Sequence, residues 1–228
     1  MKAKQIVKRR YNNEQARRLE KQLIIQLDRI VEEIKATGSK DIHLLQRQYN
    51  TELEQVLRSA IEKAYNLAAE KTVNIRKGKK DNNKKIKQAA ALADLTSHFT
   101  TGTDLNNITN KVKDYAGRFW RRMNAFLHQS DTLPTTTNYH PQSKLNLNSL
   151  VTSVGTSAIT DTMQHATISK LDQLGEPNER VKWIAEHDDR TCPICEGLDG
   201  MIWDINDPSM KTPPDDSHDN CRCELEPV

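Results

Sequence analysis

Apolar residues recur every three or four positions through the first seventy residues, a period that belongs to amphipathic helices. Leu19, Leu23, Leu27, Ile30 and Ile34 form one stripe in a helix predicted from about Asn13 to Thr37, with Asn12 and Gln15 as a capping pair and Gly38 as its stop. A second helix begins near Asp41 and carries Leu45, Tyr49, Leu53, Val56, Ala60, Ile61, Ala64 and Leu67. Joined by Gly38-Ser39-Lys40, the two predict an antiparallel hairpin. The stripes pack against each other or share a partner helix from another subunit. Two further helices are expected over about Lys84–His98 and Asp104–Gln129; in the latter, Leu105, Ile108, Val112, Tyr115, Phe119, Met123 and Phe126 keep helical spacing. Pro and Thr crowd residues 131–144, a linker composition, and a helix follows from about Asn148 to Leu174, closed by Gly175 and Pro177. Beyond Pro177 the period shortens. Val181–Ala185, Gly200–Asp204 and Cys221–Leu225 read as short strands.

This order predicts an α+β protein: a mostly helical N-terminal region over residues 1–130, a linker over 131–147, and a C-terminal domain over 148–228 with one helix and a small antiparallel sheet. Only 36% of the 228 residues are hydrophobic and 29% are charged, which suits narrow apolar stripes better than one large core. No apolar run reaches the length of a membrane span, and the N-terminus lacks the apolar core of a signal peptide.

The net charge of +3 hides a polarity. Residues 1–90 hold 22 Lys+Arg against 11 Asp+Glu, whereas residues 181–228 hold 4 against 12. The basic end concentrates in Lys71, Arg76, Lys77, Lys79, Lys80, Lys84, Lys85 and Lys87, with Asp81 the single acid among them and a turn expected at Gly78 and Asp81-Asn82-Asn83. Such a cluster can neutralise phosphates without reading sequence. It is equally a solvated loop. With no aromatic interleaved, base stacking is not indicated.

All four cysteines lie near the C-terminus, as Cys192-x-x-Cys195 and Cys221-x-Cys223, with His218 three residues before the second pair. Tetrahedral zinc takes four thiolate or imidazole ligands, and five donors are on offer. A structural metal is the first reading, free thiols the second, and disulfides, which expect an oxidising compartment, the last. A redox pair is disfavoured, since it should open a helix beside a βαβ unit, and here Pro193 and Ile194 lie inside the pair. A sheet this small buries too little surface to hold itself, so a metal cross-link has a structural reason. Arg222, between the cysteines, is expected to face away from the sulfurs and to pair with Asp188, Asp189 or Asp199.

The ordered series Trp183, Asp189-Arg190-Thr191-Cys192-Pro193-x-Cys195, Leu198-Asp199-Gly200, Pro213-Pro214 and His218-x-x-Cys221-Arg222-Cys223 resembles the phage Mu F-like family of minor head, or head morphogenesis, proteins. The resemblance covers about the last 85 residues. It implies a minor capsid component at or near the portal inside the procapsid, with portal, capsid and scaffold proteins as partners, non-specific contact with DNA, and neither a membrane nor a small-molecule substrate. It further implies residence in the capsid interior and, during assembly, the host cytoplasm. The family's Ala-Arg-Thr-Glu stretch stands here as Ala158-Ile159-Thr160-Asp161. The alternative is an enzyme delivered with the virion, akin to an ADP-ribosyltransferase or a zinc nuclease. Ile159 in place of the family's arginine argues against the first, and the lack of a spare general base, unless His187 serves, against the second. A third alternative is a sequence-independent DNA-binding protein.

Overall fold

In the computed structural model, the described residues are 3–80, 102–128, 146–175, 178–188 and 191–228, with side chains described in the helices from residue 14, up to residue 76 and again from 104. Four long helices come first: α1 (Ala3–Ala36), α2 (Ile42–Lys80), α3 (Gly102–Leu127) and α4 (Leu147–Leu174). After them come β1 (Arg180–Ile184), the short α5 (Pro193–Leu198), β2 (Ile202–Asp204) and β3 (Glu224–Pro227).

The hairpin of α1 and α2 forms as its stripes dictate, but α1 begins at Ala3 rather than near Asn13, so Asn12 lies inside the helix and does not cap it. Gly38 takes the left-handed conformation (φ 65°) that ends α1 cheaply. Asp41 then caps α2, its Oδ1 accepting the amides of His43 at 3.0 Å and Leu44 at 3.1 Å. The stripes of both helices are buried apart from Val56 and Leu67, which are half-buried, and Leu57, Tyr65 and Val73 of α2 join them. α2 runs through Gly78 to Lys80, so the turn expected at Gly78 is helix instead; one glycine near a helix end costs only about 1 kcal/mol. The helix expected over 84–98 and most of the linker lie outside the described residues. On α3 the expected stripe is buried except Phe126, which is half-buried, and Leu105, which is exposed because the first turn points Asp104 inward instead.

The stripes are covered within the chain by α4. This helix is buried on nearly every side, and its Leu150, Val151, Val154, Ala158, Ile159 and Ala166 join the core made by α1, α2 and α3. Asn146 caps it by accepting the amide of Ser149 at 2.6 Å, and Gly175 (φ 62°) closes it. Its buried Ser and Thr are short enough to sit in a core and polar enough to bond across it: Thr156 donates to Glu20 Oε1 at 2.7 Å.

α1 crosses α4 at Gly155. A Cβ there would come within 2.9 Å of Ile24 Cγ1 and 3.8 Å of the Ile24 amide nitrogen. Gly155→Val should therefore separate the helices and cost about 1–3 kcal/mol, the usual range for overpacking. Gly155→Ala should cost less, since its better helix propensity offsets part of the clash. Chemical denaturation of both variants checks the order.

The three strands form an antiparallel sheet in the order β2-β1-β3. Val181 and Trp183 of β1 face inward, and Trp183 lies opposite Leu225 of β3. Their face packs with Leu171 of α4 and with Cys195, Cys221 and Cys223 in a second core. The basic helices and the acidic module meet through ion pairs: Arg17 with Glu186, Arg76 with Glu179, Arg122 with Asp219, and Lys71 with Glu224 at 2.5 Å. Part of the charge polarity of the sequence is thus neutralised inside the molecule.

Candidate metal centre

The first half of the site is a turn. Cys192 is extended (φ −85°, ψ 160°) and caps α5, whose first residue is Pro193. Its Sγ accepts the amide of Cys195 at 3.4 Å, and its carbonyl accepts that of Glu196 at 3.0 Å. The pair therefore does open a helix, against the sequence expectation, because proline at the first helical position is preorganised for one. The sheet beside it is antiparallel, however, so no βαβ unit accompanies the pair.

The second half is another turn, closed by the Cys221 amide on the His218 carbonyl at 3.2 Å. Asn220 adopts a left-handed conformation there (φ 66°), which asparagine tolerates better than most residues. β3 starts only at Glu224, so Cys221 and Cys223 precede the strand in which the sequence placed them.

The two halves meet at Cys195. Its Sγ is 3.4 Å from His218 Nε2 and 3.7 Å from Cys221 Sγ. Cys192, Cys195 and His218 bring their donor atoms within 4.8 Å of one another, as do Cys195, Cys221 and Cys223. All five sequence-predicted donors thus converge, and all four cysteines are free thiols. The carbonyl of Asp219 lies 2.7 Å from His218 Nδ1 and can only accept, so the proton sits on Nδ1 and Nε2 turns its lone pair to the sulfurs.

The thiols compete for ionisation. The Cys223 S–H donates to Cys221 and, against the opposing effect of burial, pushes its pKa down to about 5. Burial, then the Cys221 thiolate, pushes Cys195 up to about 12, and the same bond to Cys221 raises Cys223 still more. A buried cluster of this kind resists carrying several negative charges unless a cation neutralises them. The arrangement is therefore chemically suited to a soft divalent ion.

α4 supports the site from beneath. Thr160 donates to the Cys221 carbonyl at 2.7 Å, and Gln164 both donates to the Cys223 carbonyl at 3.2 Å and accepts the Leu225 amide at 2.7 Å. Gln164 thereby does for this segment what a neighbouring strand would do. Sequence reading missed these residues, although Ser157, Thr160 and Gln164 at i, i+3 and i+7 mark one face. In the Ala158–Asp161 stretch, Ile159 is core, and Asp161 pairs with Lys111 at 2.6 Å and accepts from Tyr115 at 3.0 Å. Arg222 pairs with Asp188 at 2.5 Å, one of its three expected partners; Asp189 lies outside the described residues. His187, the alternative's one spare base, sits on the surface with Nε2 3.2 Å from Asp199.

One buried group on α4 is set for pH sensitivity. Burial, then Lys111, lowers the pKa of His165 against the opposing pull of Asp161 and Asp104, and its buried Nε2 has no hydrogen-bond partner among the described residues. The folded state therefore takes up its proton at lower pH than the unfolded chain, whose value is near 6.5. Stability should fall as pH drops below about 6.5. His165→Gln should flatten that limb of the profile in thermal melts between about pH 7 and about pH 5.

Of the eight predicted DNA-binding bases, Lys71 is held by Glu224, and Arg76 by Glu179 and the Val228 carbonyl. Lys77, Lys79 and Lys80 stand on the last turn of α2 without described side chains, and Lys84, Lys85 and Lys87 lie outside the described residues.

Comparison with protein-family models matches phage Mu protein F like protein over residues 89–226. The chain belongs to the phage Mu F-like family. The match takes in α3, α4, the sheet and the whole metal cluster, and so reaches further toward the N-terminus than the motif series alone. Membership makes the chain a phage head morphogenesis protein. Comparison with curated proteins and with solved structures gave no match. Among the described residues, no helix of this Mu F-like protein is long and apolar enough to cross a membrane.

Proposed function

We propose that this Mu F-like protein is a minor head component that docks at the portal inside the procapsid, with a structural zinc ion holding its C-terminal module together. The family match that spans the whole cysteine–histidine cluster carries the reading. Zinc fits the donor set: thiolates and imidazole are its preferred ligands, and the His218 tautomer presents Nε2 correctly. A structural role fits better than a catalytic one, because five donors crowd one site and three of the thiols are buried, whereas a catalytic zinc needs a position open to substrate. The ion would tie the α5 turn to the segment before β3 and supply folding energy; this chain's own residues orient the donors and exclude water from them.

The docking surface on the portal lies outside the stripes of α1 and α2. Leu23 and Leu27 are only 2% and 0% exposed, so substituting them tests folding rather than docking. Full-length protein should co-purify with the portal protein of the same phage, and Ile25→Asp, at a position 65% exposed, should leave the fold intact while reporting on that face. Failure of the wild-type chain to be retained counts against the portal.

With Lys71 and Arg76 held in ion pairs within the chain, contact with packaged DNA falls to the remaining bases of the cluster, Lys77, Lys79, Lys80, Lys84, Lys85 and Lys87. If about five phosphates are engaged, affinity should drop by roughly two to three orders of magnitude between about 50 and 200 mM salt. Replacing Lys77, Lys79, Lys80, Lys84 and Lys85 by Gln should weaken all DNA sequences alike; unchanged binding would show the segment to be only a solvated one.

A further inference from the structure

A zinc ion at this centre has five donors for four positions. We propose that the ion is held by Cys192, Cys195, His218 and Cys221, and that Cys223 is a thiol packed behind the shell rather than a ligand. The choice of ligands rests on the zinc reading of the site.

A tetrahedron with Zn–S of about 2.3 Å and Zn–N of about 2.05 Å has S···S edges of about 3.8 Å and S···N edges of about 3.6 Å. Two such edges already exist, Cys195 to Cys221 at 3.7 Å and Cys195 to His218 at 3.4 Å. Both run to Cys195, and His218 and Cys221 are not grouped within 4.8 Å of each other, so an ion held by both would draw the two turns together. With Cys195, His218 and Cys221 as three corners, the fourth is Cys192, which stands near Cys195 and His218, or Cys223, which stands near Cys195 and Cys221.

Local backbone structure separates the two. Cys192 and Cys195 share one hydrogen-bonded turn, and His218 and Cys221 share another. Each turn presents two donors three residues apart, and the pattern Cys-x-x-Cys with His-x-x-Cys closes a shell from two equivalent halves. The Cys192 sulfur also accepts the Cys195 amide, a bond that stabilises negative charge on it. Cys223 is held differently. Gln164 grips the chain on both sides of it, through the Cys223 carbonyl and the Leu225 amide. That grip fixes Cys223 on α4, where it lines a cleft with Ile159 and Met163. Moving it to the Cys192–His218 side would break the grip.

The test uses full-length protein, purified metal-free under reducing conditions and titrated with cobalt(II), whose thiolate charge-transfer absorption scales with the number of bound thiolates. Wild type should bind one ion with three thiolates. Cys223→Ser should keep the three-thiolate band and lose no more than about tenfold in zinc affinity, as for a partner outside the shell. Cys192→Ser should lose a third of the band and more than about 100-fold in affinity, beyond the range of outer-shell effects. Should Cys192→Ser fail to fold, Cys192→His decides: it restores binding with a two-thiolate band only if position 192 is a ligand. A Cys223→Ser protein that loses a third of the band, with Cys192→Ser intact, overturns the assignment and makes Cys223 the fourth ligand. Loss of band in both, with His218→Ala unchanged, overturns it in favour of four thiolates. Absence of cobalt and zinc binding in wild type overturns the zinc reading itself.

Discussion

Cys195→Ser is expected to unfold the region from Glu179 to Val228 while the helices of α1 to α4 persist. Cys195 is the one donor of the five that belongs to both groups of converging donors, and the short distances to His218 and Cys221 both run to it, so its loss removes the centre of the link between the two turns. The sheet they flank has strands of five, three and four residues and cannot offset the entropy of ordering about fifty residues by itself. Structural zinc binding supplies on the order of 10–16 kcal/mol in small metal-folded modules, so the effect should be total rather than graded. Trp183, fully buried against the cysteines, should report the change as a red-shifted emission. Far-ultraviolet circular dichroism should keep most of its helical signal. A chelator should reproduce the variant, and adding zinc back should reverse the chelator but not the variant.

The second large effect is expected far from the cysteine–histidine cluster. Asp104 in the first turn of α3 accepts from Tyr65 at 2.5 Å and pairs with the Lys170 ammonium at 3.4 Å, and both charges are buried. Gln173 adds a bond from Lys170 Nζ to its Oε1 at 2.8 Å. Burial, then the bond to Asp104, pushes the Tyr65 pKa upward, so Tyr65 stays a neutral donor. Asp104→Ala strands the ammonium in the core and should destabilise the protein by about 3–5 kcal/mol. Lys170→Met alone should cost a similar amount by stranding the carboxylate. Replacing both, Asp104→Leu with Lys170→Met, should recover most of the loss, because a well-packed apolar pair often matches a buried ion pair. Urea denaturation of the two singles and the double measures the coupling. Additive losses would mean that the two charges do not depend on each other.

The helices were legible because their signal is local. The stripe from Leu19 to Ile34 and the stop at Gly38 can be read without knowing what covers them. What covers them was not legible. α4 has no apolar stripe, since Ser153, Thr156, Ser157, Thr160 and Thr167 share its buried surface with aliphatic residues, and a helix buried all round shows no period to find. The cysteine–histidine cluster was legible from spacing because two turns of fixed geometry bring its members together. Their support by Thr160 and Gln164 was not, since those bonds join residues about sixty positions apart. Charge composition showed the basic and acidic ends but not their use. Lys71 and Arg76 look like phosphate ligands in sequence and are ion-pair partners of Glu224 and Glu179 in the fold. The start of β3 beyond Cys221-x-Cys223 has a similar cause: the left-handed Asn220 and the His218 turn keep the chain curved until Glu224 reaches β1.

The central claim is that the C-terminal module of this head protein is folded around one metal ion. Its most direct test is the zinc content of full-length protein purified without added metal or chelator, determined by elemental analysis against protein concentration. The account predicts one zinc atom per chain, with the emission of Trp183 shifting as chelator removes it. Protein that contains no zinc, binds none when it is supplied, and melts identically with and without chelator would contradict it.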